Sequence, residues 1–324
     1  MKKNYFLLAA TTMMFAACAQ TDLVNEVVTE ETPQAIGFET FAEKTTRHSS
    51  STTMTDYQTT FGVFGYNNND GLFMKNFKVH DENKDAKWIY IGETGGADGS
   101  TVQEAKYWNK LATYDFYAYA PYNSGVNFDG TKFTIPSGNY AATENLQTTF
   151  GTRNGETFST NVDWMLASQK NYTYSQGATV PLAFSHMLSK IAVVVKTTGD
   201  EDITVTNISL EGDTYKTGYY NGTAWEPSNE VVLTGVVGDI EEKNMDYYSM
   251  EYLLIPAATA APKLSIDYTV NGQTYRQSDL AISGITSFAP NTFYTITVTI
   301  GLEPIQFSAT SATWGAGTGS VTIE

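Results

Sequence analysis

TFYTITVTIGLEPIQFSATSATWGAGTGSVTIE, residues 292–324, decides the fold class. In its first part Tyr294, Ile296, Val298, Ile300 and Leu302 alternate with Thr295, Thr297 and Thr299. Side chains on a strand point to opposite faces in turn, so this period of two marks a strand with one buried face. After Glu303 and Pro304 the alternation restarts at Ile305, Phe307 and Ala309, passes Trp314 and a Gly-rich turn, and resumes at Val321 and Ile323. Near the other end of the chain, Ile36 and Phe38 in QAIGFET repeat the Ile-x-Phe spacing of Ile305 and Phe307 in EPIQFSA. Two segments with one knob pattern are able to compete for one groove.

Working outward, the rest of the chain has the same character. The 324 residues are 41% hydrophobic and 17% charged, enough for two domains or one large all-β domain. Gly, Thr, Tyr and Phe are abundant, and no window of useful length carries apolar residues at helical spacing. Successive short strand candidates occur in TTFGVFGY, KWIYIG, YDFYAYAP, NVDWMLASQKN, PLAFSHMLSKIAVVVK, ITVTNISLEG, EYLLIPA and KLSIDYTV, with turn residues between them. Ile191, Val193 and Val195 alternate with Ala192, Val194 and Lys196, giving one very apolar face and one partly so. Asn271-Gly272 between Tyr268/Val270 and Tyr275 is a hairpin signal. The expected architecture is all-β: two tandem β-sandwich domains of mostly antiparallel strands, 34–178 and 179–324, with terminal donor strands at 304–324.

Residues 1–17 read as an export signal: Lys2 and Lys3, an apolar run from Tyr5 to Phe15, then Ala16 and Ala17. The run is too short for a permanent membrane span. Phe15-Ala16-Ala17-Cys18 resembles the lipobox of bacterial lipoproteins, in which the cysteine takes a diacylglycerol and becomes the mature N-terminus; the alternative is an ordinary signal peptide with a chance cysteine. Cys18 is the sole cysteine, so the mature fold is expected to hold without a disulfide. Residues 18–33, acidic and weakly apolar, suit a tether. Removing residues 1–17 takes two lysines and no acid, moving the formal charge from −16 to −18. Such a surface repels phosphate backbones and anionic head groups, which excludes nucleic acid as a partner and leaves the lipid as the membrane attachment.

A first strand candidate, residues 35–41, is followed by EKTTRHSSSTTMT, a polar stretch expected to be exposed and cleavable. Arg47 lies within it and is the one arginine of Arg47, Arg153 and Arg276 to follow a first strand directly.

Candidates for chemistry are sparse. His48, His80 and His186 are far apart in sequence and form no zinc motif, so His186 in LAFSHMLS reads as a core residue. No GxSxG elbow occurs, and the Gly315–Gly319 run lacks the Lys-Ser/Thr of a phosphate loop. Residues 67–71 and 81–85 are Asx-rich without the full spacing of a calcium loop. The sequence therefore offers no catalytic, cofactor or metal site. Five Trp and 21 Tyr keep a sugar-stacking platform open as the alternative, a surface glycan-binding lipoprotein.

Taken together, Ile-x-Phe followed by TTR, FGVFGY, YW with YDFYAYAP, DWMLA, LAFSHMLSKIAVVVK, APNTFYTITVTI and a late Trp resemble the fimbrillin family, type V pilus proteins of Gram-negative anaerobes. The resemblance runs from about residue 34 through most of the chain, with FYAYAP and LAFSHMLSKI its most specific parts. It implies transthyretin-like sandwiches made as an outer-membrane lipoprotein precursor that becomes part of an extracellular fimbrium with an adhesive role. By that resemblance Cys18 is the lipidation site and Arg47 the cut made by a trypsin-like, arginine-specific protease. Ile36 and Phe38 mark the displaced strand, and Ile305, Phe307, Val321 and Ile323 the donor. The implied partners are other pilin subunits, the protease and the outer membrane, with a host or bacterial surface ligand as a further candidate. Shaft, tip and anchor roles all fit.

Overall fold

The structure is a computed structural model that describes residues 32–42, 59–83, 85–96, 99–139, 143–144, 163–258, 260–282, 284–301, 306–313 and 321–323. Apart from a 3-10 turn at Tyr174–Gln176, every regular element among them is a strand. In chain order the first half carries β1 (Gly37–Ala42), β2 (Thr60–Asn67), β3 (Gly71–His80), β4 (Thr94–Gly95), β5 (Thr101–Val102), β6 (Tyr114–Ala120), β7 (Asn127–Phe128), β8 (Phe133–Asn139), β9 (Thr143–Glu144), β10 (Met165–Tyr172) and β11 (Thr179–His186). The second half carries β12 (Ser189–Thr197), β13 (Ile203–Glu211), β14 (Tyr215–Tyr220), β15 (Trp225–Glu230), β16 (Leu233–Gly235), β17 (Gly238–Ile240), β18 (Tyr247–Leu254), β19 (Lys263–Val270), β20 (Gln273–Ala281), β21 (Thr292–Ile300), β22 (Gln306–Thr313) and β23 (Val321–Ile323).

The first sheet has the order β1-β11-β10-β6-β2-β3. Its inner face holds Phe61, Val63, Phe116, Leu182 and Phe184, all essentially inaccessible, with Trp88, Tyr90 and Trp108 from the intervening loops closing over them. Aromatic edges meet faces throughout, as between Phe61 and Trp88 at 4.9 Å. Gly62 is required by a close approach: a Cβ there would fall 2.3 Å from the Tyr119 ring.

The second sheet, β23-β22-β21-β12-β18-β9, packs face to face on a third, β16-β13-β19-β20. Ile191, Val193, Ile296 and Val298 on one side meet Val205, Ile208, Leu264 and Ile266 on the other, the interdigitation of a β-sandwich. The alternation read in residues 292–300 is reproduced in β21, where Tyr294, Ile296, Val298 and Ile300 are buried.

A further core lies between the first and second sheets. Phe64 and Tyr119 face Ala192, Val194 and Leu253 across Val126, Phe133 and Ile135. Consequently β12 is buried on both faces, where the sequence reading expected one face only partly so. Its polar end is matched: Lys190 Nζ sits 2.5 Å from Glu251 Oε1, both side chains almost wholly enclosed. A buried charge persists only when paired in this way.

The two halves also share backbone. A four-stranded sheet takes β7 and β8 from the first half and β14 and β15 from the second, joined where Gly218 opposes Gly138. The strand that follows the expected boundary at residue 178, β11, pairs with β10 and β1 of the first half. The described residues from Gln34 onward group as one unit. Asn271 and Gly272 turn the β19–β20 hairpin with positive φ at both positions, 47° and 77°, as a type I′ turn requires.

Candidate functional site

The candidate site is the groove occupied by β1 at the edge of the first sheet. IGFETFA, β1 with the residue before it, enters the groove in alternation: Ile36, Phe38 and Thr40 point inward and are 2%, 4% and 6% exposed, while Glu39 and Phe41 face outward. Its partner is β11, in parallel register from Gly37 opposite Thr179 to Ala42 opposite Phe184. The Phe38 ring lies edge-on to Phe116 at 5.7 Å, Phe61 at 5.9 Å and Tyr90 at 6.0 Å. Enclosing such a side chain stabilises the strand by about 1.5–3 kcal/mol.

On the outer edge, the start of the strand is held by residues 106–108. Ile36 N donates to Lys106 O at 2.7 Å, Trp108 N donates to Gln34 O at 3.0 Å, and Ala35 bridges Tyr107. Trp108 Nε1 donates to Ala178 O at 3.0 Å, tying this segment to the beginning of β11. The Tyr172 hydroxyl donates to Thr179 O at 2.9 Å; partial burial, and secondarily the Glu39 carboxylate, push its pKa above that of an ordinary phenol. Among the described residues the outer edge of β1 has no partner beyond this point.

At the opposite end of the chain, β22 pairs antiparallel with β21, placing Phe307 opposite Val298, and β23 pairs with β22, placing Val321 opposite Ser311 and Ile323 opposite Ala309. These strands complete an edge of the second sheet, whereas β1 belongs to the first. The structure thus brings Ile36 and Phe38 together in one groove and keeps that groove and the C-terminal strands in different sheets. Cys18, Arg47 and Ile305 lie outside the described residues. Sequence reasoning missed Thr40, Trp108 and the parallel partner β11. Continuing the alternation from Ile36 through Phe38 would have found Thr40.

Elsewhere, polar groups serve the scaffold. His186 Nδ1 and Asp163 Oδ1 are 3.0 Å apart and buried, which joins the chain entering β10 to the end of β11. Asn67 Oδ1 accepts from the backbone N–H of Asn69 and Asp70, and the Asp81 carboxylate accepts from those of Asp85 and Ala86, so the Asx-rich stretches spend these oxygens on their own turns. Among the described residues no group of three or more His, Cys, Asp or Glu side chains is disposed to hold a metal ion. Trp88, Trp108, Trp164 and Trp225 are all buried and present no stacking face.

With that geometry in place, comparison with known proteins is informative. A family model described as fimbrillin-like matches residues 46–314. No curated protein matches the chain. Among solved structures, a candidate cell adhesion protein from Bacteroides ovatus is similar with a TM-score of 0.54 at 16% identity, over 86% of this chain and 96% of that one. A second, from Bacteroides uniformis, gives 0.49 at 17% identity over 87% and 99% of the two chains. The tip fimbrial protein Mfa3 from Porphyromonas gingivalis gives 0.36 at 11% identity over 86% and 99%. At these identities the likeness to the first of them concerns the fold.

Proposed function

The chain belongs to the fimbrillin-like family, and from that premise we propose that it is a structural, non-enzymatic subunit of a cell-surface fimbria with a role in adhesion. In this reading it reaches the outer membrane as a lipoprotein precursor lipidated at Cys18. An arginine-specific, trypsin-like protease cuts after Arg47, and β1 then leaves its groove. The C-terminal strands of the next subunit, with Ile305, Phe307, Val321 and Ile323 as their knobs, fill the vacancy. Two sandwich lobes, changing over between β11 and β12, form the body of each subunit.

The observation that carries the reading is β1 itself. It is a short edge strand that, with Ile36 just ahead of it, inserts Phe38 into an aromatic groove and stands a few residues before the stretch with Arg47. Once detached it would leave a row of unpaired backbone groups and an apolar slot, a state that favours capture of another strand. Each refilled pocket contributes about 1.5–3 kcal/mol and each ladder hydrogen bond about 1 kcal/mol, so the cut alone suffices to drive assembly.

Treatment of the purified precursor with a low dose of trypsin tests this. Clipping near Arg47 should yield ladders of multimers that survive mild SDS, while Arg47→Ala and a chain lacking residues 304–324 should remain monomeric. A clipped wild-type chain that stays monomeric would exclude the shaft role and leave a tip or anchor role.

A further inference from the structure

We propose that Thr40 is the release point of β1, a built-in weak contact that makes the resident strand the poorer occupant of its own groove. This rests on the strand-exchange reading above and concerns what sets the rate and direction of exchange.

Thr40 is the third inward side chain of this segment, after Ile36 just ahead of β1 and Phe38 within it, and it is 6% exposed. Its hydroxyl oxygen is sealed from solvent and has no hydrogen-bond partner among the described residues. A hydroxyl that gives up water without gaining a partner weakens the state that buries it. The other two knobs carry no such defect, since Ile36 and Phe38 are apolar. Support along the strand is uneven in the same sense. The beginning is gripped on both sides, by β11 and by residues 106–108, whereas Thr40 is paired with Leu182 on one side only and is followed by Phe41, 48% exposed. The weak end is also the end nearest Arg47 in sequence. Peeling therefore starts at Thr40 and runs back toward Phe38 and Ile36. The C-terminal repeat of the knob pattern, Ile305, Phe307 and Ala309, has Ala at the third place, so a strand inserted in the same phase brings no hydroxyl into the groove.

The test compares Thr40→Val, which keeps the shape and removes the hydroxyl, with Thr40→Ser, which keeps the hydroxyl. Amide hydrogen exchange on the uncut, full-length chain reads the opening of β1 directly. Thr40→Val should slow exchange of the β1 amides by about tenfold, and Thr40→Ser should not slow it. After cleavage at Arg47, loss of the N-terminal fragment, followed by size exclusion, should slow in the same order. Unchanged or faster exchange in Thr40→Val overturns the assignment. If Thr40→Val slows exchange in the uncut chain but the cut wild-type chain never sheds its fragment, the strand-exchange reading falls and the weak contact at Thr40 stands.

Discussion

At the scale of single residues, the energetics of the first sheet are concentrated in a few side chains. Phe38→Ala would empty a site bounded by Phe61, Tyr90 and Phe116, and should lower the stability of the uncut chain by about 3–5 kcal/mol in urea unfolding. Phe41→Ser, three residues on and half exposed, should change it by about 0.5 kcal/mol or less. Asn76 is a second such point. It is fully buried with φ of 51°, its Nδ2 donates to the carbonyls of Asn123, Ser124 and Val126, and its Oδ1 lies 2.5 Å from the Tyr119 hydroxyl. Asn76→Ala would strand those carbonyls and place a less tolerant residue in the left-handed region, at a cost of about 2 kcal/mol or more by the same measurement. Ile36 and Phe38 were readable from their spacing because apolar alternation is visible. The inward place of Thr40 follows from the same alternation, but the want of a partner for its hydroxyl does not, because that depends on which groups the fold brings near it.

Among the elements, β12 and β20 mark the extremes of burial. Both are nine residues long, yet β12 is enclosed on both faces and β20 is exposed along nearly its whole length. Val194→Asp would bury an unpaired carboxylate between the first and second sheets and should prevent recovery of folded protein, because such a charge costs several kcal/mol. Gln277→Asp on β20 should leave the unfolding midpoint unchanged within error. Equal sensitivity at the two positions would contradict the layer arrangement. In sequence, β12 announced itself as an apolar strand, and the Asn271-Gly272 turn announced the β19–β20 hairpin. The second buried face of β12 depends on Phe64, Tyr119 and Ile135, more than fifty residues upstream, and no local pattern encodes that proximity.

For the whole molecule, the tyrosines give the chain a defined alkaline limit. Desolvation raises the hydroxyl pKa of Tyr90, Tyr119 and Tyr252 above the ordinary 10.0; at Tyr90 and Tyr119 it is opposed by the Lys106 and Asn123 backbone N–H groups that donate to the phenolic oxygen. The folded state therefore favours the neutral phenol. That contribution is fully present below the unfolded value near 10 and is lost as pH climbs from there through the raised folded values. Thermal midpoints should be flat with respect to these groups below about pH 9 and fall steeply above about pH 10, with tyrosinate absorbance appearing together with unfolding. Gradual ionisation of all tyrosines in a folded chain would contradict their burial. The sequence by itself determined that this protein is built of strands, where many of them lie, which side of β21 turns inward and where the hairpin at Asn271-Gly272 bends, because those properties follow from relations between residues one or two positions apart. The tertiary structure alone decided that β1 runs parallel to β11, that the halves share a sheet through β8 and β14, that the described tryptophans are core and that Thr40 is sealed without a partner among the described residues. Each of those depends on which distant strand becomes the neighbour, and a period-two pattern fits many neighbours equally well.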